Sequence, residues 1–206
     1  FFILSLTFSA FAATYQVGDS SFEDWSDTFD GKPALGSPWN GANVSQMGVN
    51  AQVVHQTTDA HSGTYAAKLI DTEVGALGIT ATSPSWVTLG TPWSYLEGLS
   101  KGSATAGTDG GIAFTARPDT MAVWIKRVSD GTENINLVYY SWKGTAKGSK
   151  YKSENGGCTS TSHTDEESDI RTQFDPNACG TDQQATQVAD GYIRTKATYN
   201  NWTQIK

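Results

Sequence analysis

The chain has 206 residues and a formal net charge of −7, which disfavours a polyanionic partner, because nucleic-acid binding draws on Lys and Arg contacts to phosphate. Only 17% of its residues are charged, so helices held by i,i+4 ion pairs have little material to form from. The length suits a single β-sandwich or barrel around one core, with no second domain required.

In chain order, the apolar run Phe1 to Ser9 is too short to cross a bilayer and leads into Ala10-Phe11-Ala12, an A-x-A cleavage signature. Residues 1–12 read as the remnant of a signal peptide, and 13–206 as one β-sandwich domain. The missing initiator Met and basic start predict that the reading frame extends upstream. No Cys follows the cleavage point, so lipoprotein acylation is not expected. The expected location is secreted, periplasmic or at the cell surface, without membrane insertion.

Strand-like runs with turn residues between them then recur, which is the pattern of an antiparallel two-sheet fold. Thr64 to Ile70 follows a His61-Ser62-Gly63 turn and is expected to seat Tyr65, Ala67 and Leu69 on one face. Trp86, Trp93 and Tyr95 lie in the Pro- and Gly-punctuated stretch Ser83 to Gly98, where a loop platform and burial fit equally. Gly111 to Ala116 reads as a strand stopped at Arg117-Pro118, where proline withdraws a donor.

The clearest predicted element is a hairpin of Met121 to Val128 with Asn134 to Trp142, joined by Ser129-Asp130-Gly131-Thr132-Glu133. Pairing Val128 with Asn134 sets Val123 opposite Tyr139 and Ile125 opposite Leu137 on a core face. The other face carries Trp124, Lys126, Asn136, Val138 and Tyr140, flat rings beside hydrogen-bonding groups.

Residues 143–152 read as a loop into the segment bounded by Cys158 and Cys179. Two thiols in an exported chain predict a disulfide, closing a loop of about twenty residues for roughly 3 kcal/mol. Neither cysteine has a second Cys or His at metal-ligand spacing. Inside the loop, Thr164-Asp165-Glu166-Glu167 fits a capping box, which predicts one short helix before Pro176. The chain stops at Trp202-Thr203-Gln204-Ile205-Lys206, within an expected strand, so the domain is expected to be incomplete at its C-terminus.

Several short signatures fall in an order that resembles the carbohydrate metabolism domain family of exported bacterial proteins. They are Phe22-Glu23-Asp24-Trp25, Pro38-Trp39-Asn40-Gly41-Ala42-Asn43, Ser62-Gly63 leading to Ala66, Lys68 and Leu69, then Phe114-Thr115-Ala116-Arg117-Pro118 and Trp202-Thr203. The resemblance spans roughly residues 22 to 205. It implies a two-sheet antiparallel jelly roll similar to carbohydrate-binding modules, in proteins linked to polysaccharide use, and it brings no catalytic motif.

In that setting the seven Trp and eight Tyr become candidates for sugar stacking, since each offers a rigid apolar face with a polar edge. Trp25, Trp39 and Trp202 are expected in the core. Trp124 and Tyr140, with Lys126 and Asn136 beside them, form the preferred glycan platform, and Trp86 and Trp93 a further one. A structural Ca²⁺ near the first strand would take hard oxygen donors such as Glu23 and Asp71, although no EF-hand spacing is present.

A glycosidase needs two carboxylates at a set separation, and Glu23, Asp119 and Glu133 qualify by type alone. Asp165, Glu166 and Glu167 read as a solvated helix start. His55, His61 and His163 lack a neighbouring nucleophile signature. The expected function is non-catalytic glycan binding, against an Asp/Glu-pair enzyme and a structural or adhesive surface domain.

Overall fold

The computed structural model describes residues 16–46, 48–76, 78–96, 104–109, 111–116, 118, 120–129, 131–143 and 186–206. The predicted signal peptide, the Cys158–Cys179 disulfide, the capping-box helix, the 143–152 loop beyond Lys143, and Asp119 lie outside the described residues. Within them the chain is all-β: every ladder is antiparallel, and there is no helix.

The first half is a series of short hairpins. β1 (Asp27–Phe29) and β2 (Lys32–Ala34) are joined by Asp30-Gly31, both at positive φ of 50° and 73°. That is the Asp-Gly turn whose twist matches the strands it connects. β3 (Asn40–Gly41) leads into the hairpins of β4 (Val44–Gln46) with β5 (Val49–Ala51), and of β6 (Val54–Thr57) with β7 (Ala66–Leu69). β8 (Thr72–Ala76) pairs with β9 (Ile79–Ser83), and β10 (Val87–Thr88) then returns to pair with β3. The last pairing encloses three hairpins between its two strands.

The core sits inside this half. Leu35, Ala42, Ala51, Val53 and Val54 are buried, and Phe22, Trp25, Trp39, Val44, Ala67, Val74, Trp86 and Val87 pack around them. Trp25 and Trp39 therefore lie where the sequence places them. Each of these half-buried indoles also finds an acceptor for its N–H: Trp25 Nε1 donates to the Phe22 carbonyl at 2.7 Å and Trp39 Nε1 to that of Asp19 at 3.0 Å. Leu69 departs from expectation at 45% exposure. Among the described residues its strand pairs only with β6, and an edge strand has nothing on its far side to cover a side chain.

β11 (Thr91–Leu96) pairs with β12 (Ala104–Asp109), so the segment holding Trp93 and Tyr95 is a strand and not a loop platform. Pro92 stands opposite Thr108 in this two-stranded ladder, where a missing donor is tolerated. Residues 111–116, read from the sequence as a strand, join no ladder, and Phe114 is 39% exposed. Its small neighbours Gly111, Ala113 and Ala116 give that segment little surface to pack.

The hairpin prediction is corrected. β13 (Val123–Arg127) and β14 (Ile135–Lys143) do not pair with each other. β14 pairs with β15 (Thr186–Thr195), and β13 pairs with β16 (Tyr199–Ile205), each ladder carrying one register shift. The β14–β15 ladder is thus nested within the β13–β16 ladder in chain order. Two connections turn the corner together, and side chains tie them: Arg127 Nη2 donates to the Glu133 carbonyl at 2.9 Å and Nη1 to the Thr195 carbonyl at 3.3 Å, while Thr198 Oγ1 accepts from Ser129 N and donates to Ser129 O. Alternation assigns faces by parity but says nothing about partners. The alternation along each strand is as predicted, since Val123, Ile125, Leu137 and Tyr139 are half-buried while Trp124, Lys126, Asn136 and Val138 are exposed, but the two strands lie in separate ladders.

Candidate functional site

Four contacts bring the turn at residues 58–63, after β6, onto the outer face of β13 and β16. The His61 imidazole lies parallel to the Trp124 indole, with centroids 3.9 Å apart and planes 13° from parallel. Trp202 meets the same imidazole edge-on, at 6.2 Å and 67°. Lys126 Nζ donates to Asp59 Oδ2 at 2.5 Å, and Trp202 Nε1 donates to Asp59 Oδ1 at 3.4 Å. The two tryptophans come from paired strands. Trp124 stands opposite Gln204, and Trp202, two residues earlier beside the register shift after Ile125, meets the same imidazole.

The turn is anchored from behind by Glu23. Its carboxylate accepts the backbone N–H of Thr64 at 3.0 and 3.1 Å and that of Tyr65 at 3.1 Å. Gly63, at φ +75°, brings the backbone against that carboxylate so closely that a Cβ would overlap it. Asp19 in turn orders the strand entry, accepting Glu23 N at 2.7 Å and Asp24 N at 3.1 Å. The aromatic cluster therefore rests on one fixed loop stem and one ladder face.

The site is exposed. Trp124 keeps 42% of its surface accessible, and the side chains of Lys126 and Asp59 keep 37% and 57%. An ion pair in that setting contributes little to folding. Hydrogen bonding to Lys126, and then its charge, hold the Asp59 carboxyl below its ordinary 3.8. A carboxyl with a lowered folded-state pKa adds stability above the unfolded value, and loses it as pH falls through the folded one. The Asp59 link is therefore present at neutral pH and opens only in acid below 3.8. A carbon-detected NMR titration of the Asp59 carboxyl should give a midpoint under that value, and Lys126→Met should return it to the ordinary range. A midpoint unmoved by the substitution would mean that the pair does not form.

Of the six residues favoured from sequence, Trp124 and Lys126 belong to this cluster. Asn136 lies on the other ladder, where its Oδ1 accepts the Tyr192 hydroxyl at 3.1 Å. Tyr140 is on the same strand and Trp93 on β11, and both side chains lie outside the described residues. Trp86 is half-buried against the core, and its carbonyl accepts Ala42 N at 3.0 Å. The sequence places Trp202 in the core and His61 in a turn, and the structure adds both, with Asp59, to the cluster. His61 and Trp124 come together from distant stretches of chain, and no local pattern announces such a meeting.

The proposed calcium donors are engaged elsewhere, Glu23 with Thr64 and Tyr65, and Asp71 with Ser85, whose N and Oγ both donate to Asp71 Oδ1 at 2.7 Å. Among the described residues no group of three or more His, Cys, Asp or Glu is placed to hold a metal ion. A concavity of about 350 Å³, open to solvent, lies beside β1, β2 and β3, with Asp27, Phe29, Asn40 and Asn43 in its wall.

The described chain is an all-β protein of antiparallel ladders carrying a surface cluster of rings edged by an ion pair. Comparison with protein-family models, curated proteins and solved structures finds no match to this chain.

Proposed function

We propose that this chain is an exported, non-catalytic carbohydrate-binding domain of jelly-roll form, and that glycans bind on the surface built by Trp124 and Trp202, with Lys126 and Asp59 at its edge. The observation that carries the reading is the arrangement of that surface. A large indole is left 42% exposed on a strand face, with a second indole and two hydrogen-bonding side chains next to it. Sugar rings present apolar C–H faces bordered by hydroxyls, and flat rings bordered by donors and acceptors complement them.

The jelly-roll assignment draws support from the nested ladders of β13 with β16 and β14 with β15, since a jelly roll is a long antiparallel pair folded over so that its pairings nest. The resemblance of the ordered sequence signatures to the carbohydrate metabolism domain family points the same way. The net charge of −7 favours neutral over polyanionic glycans.

Asp59 is the carboxylate of the cluster, and Lys126 and Trp202 already occupy its oxygens, which leaves no acid–base pair there. A glycan array probed with the full chain should return neutral polysaccharides, and the same polysaccharides incubated with the chain should release no reducing ends. Reducing-sugar release would make it an enzyme, and an array without any retained glycan would make it a scaffold or adhesive domain.

A further inference from the structure

The His61 ring occupies the stacking layer over Trp124 that a sugar ring would need. Resting on the glycan-binding reading above, we infer that the turn at residues 58–63 is a displaceable cover: His61 protects the Trp124 face in the free protein and gives way to the sugar on binding.

The anchoring of the turn is unequal at its two ends. Beyond Gly63 the chain is pinned by two N–H groups donating into the Glu23 carboxylate, so Thr64 and Tyr65 stay put. Before Asp59 the chain is β6, held in its ladder with β7. Between those fixed ends, residues 59–62 contact β13 and β16 through the ring stack, the ring edge and the exposed Asp59 links. His61 and Ser62 are themselves exposed. Gly63, without a Cβ and already at φ +75°, is the residue able to absorb the backbone change when the turn lifts.

The exchange is one stacking partner for another on the same indole face. A stack of this kind adds a modest increment beyond its area, and exposed ion pairs add little. A ligand offering the Trp124 face an apolar ring, plus hydroxyls for the freed Asp59 and Lys126, has partners for every group it uncovers. A closed cover lowers apparent affinity by the fraction of molecules that are open.

The distinguishing consequence is a gain. His61→Ala in the full chain should bind tighter than wild type, by about three- to tenfold, because the closed population no longer competes. Calorimetric titrations with cellohexaose, mannohexaose and laminarihexaose provide the readout, with Trp124→Ala as the variant that loses binding. The NMR resonance of the His61 Hε1 gives a second one: ring-current-shifted in the free protein, it should move on saturation toward its position in Trp124→Ala. Equal or weaker binding by His61→Ala, or a His61 resonance that stays put while sugar binds, would overturn the cover. Absence of binding to all three sugars in both wild type and His61→Ala would overturn the glycan reading as well.

Discussion

Gly63→Val is expected to destabilise the protein by about 3 kcal/mol or more, a large share of the stability of a domain this size. Two costs combine. The backbone sits at φ +75°, in the left-handed region that a β-branched residue enters only with strain. The new Cβ would also overlap the Glu23 carboxylate, which must then withdraw from Thr64 and Tyr65 and leave their N–H groups without an acceptor. A hydrogen bond to a charged group contributes about 1.5–3 kcal/mol. Glu23→Ala should cost somewhat less, because it removes the acceptor without straining the backbone. Combined, the two substitutions should fall well short of the sum, since both attack the same bonds. Urea denaturation measures all three, and a Gly63→Val protein within about 1 kcal/mol of wild type would mean that Glu23 does not hold this turn.

Trp124→Ala should do the opposite: a large functional loss with little change in stability. The indole is 42% exposed, and its ring contact is with His61, itself an exposed residue on a turn. Truncation of a buried aromatic costs about 3–5 kcal/mol, whereas here only the ring stack and part of the area are lost, so roughly 1 kcal/mol is expected. Glycan affinity should fall by at least about tenfold, in line with removal of a central aromatic contact. Early melting of the variant would show the indole to be part of the core, and unchanged affinity would remove it from the site.

The outcome on β13 shows what alternation in a sequence encodes. Trp124 and Lys126 were legible as exposed because a period of two separates Val123 and Ile125 from them whichever strand lies alongside. The partner was not legible. A five-residue loop with Asp130 and Gly131 looks like a hairpin connection, yet the pairing energy comes from β15 and β16, which lie far along the chain. Arg127 then binds the carbonyls at the corner in place of a closed turn.

The binding surface inherits that limit. Trp202 has the apolar bulk of a core residue, and read alone it belongs with Trp25 and Trp39. What separates it is its acceptor: those two indoles donate to backbone carbonyls within the core half, while Trp202 donates to the carboxylate of an exposed Asp59. His61 was visible only as part of a turn. Its role depends on Glu23 fixing the loop stem from another segment, and a contact between Glu23 and Thr64 leaves no periodic trace. For Trp86 the Pro and Gly around it left a loop platform and burial equally open, and the pairing of its neighbour Val87 with Gly41 places the ring against the core.

The central claim is that sugars bind at Trp124 and Trp202, and the indole N–H region of a nitrogen–proton correlation spectrum tests it most directly. Titrating the full chain with a neutral hexasaccharide should shift the Trp124 and Trp202 Nε1–H peaks along one saturable curve. The Trp25 and Trp39 peaks should stay fixed, because their N–H groups are committed to the Phe22 and Asp19 carbonyls. Saturable shifts confined to other tryptophans, with Trp124 and Trp202 unmoved, would contradict the account.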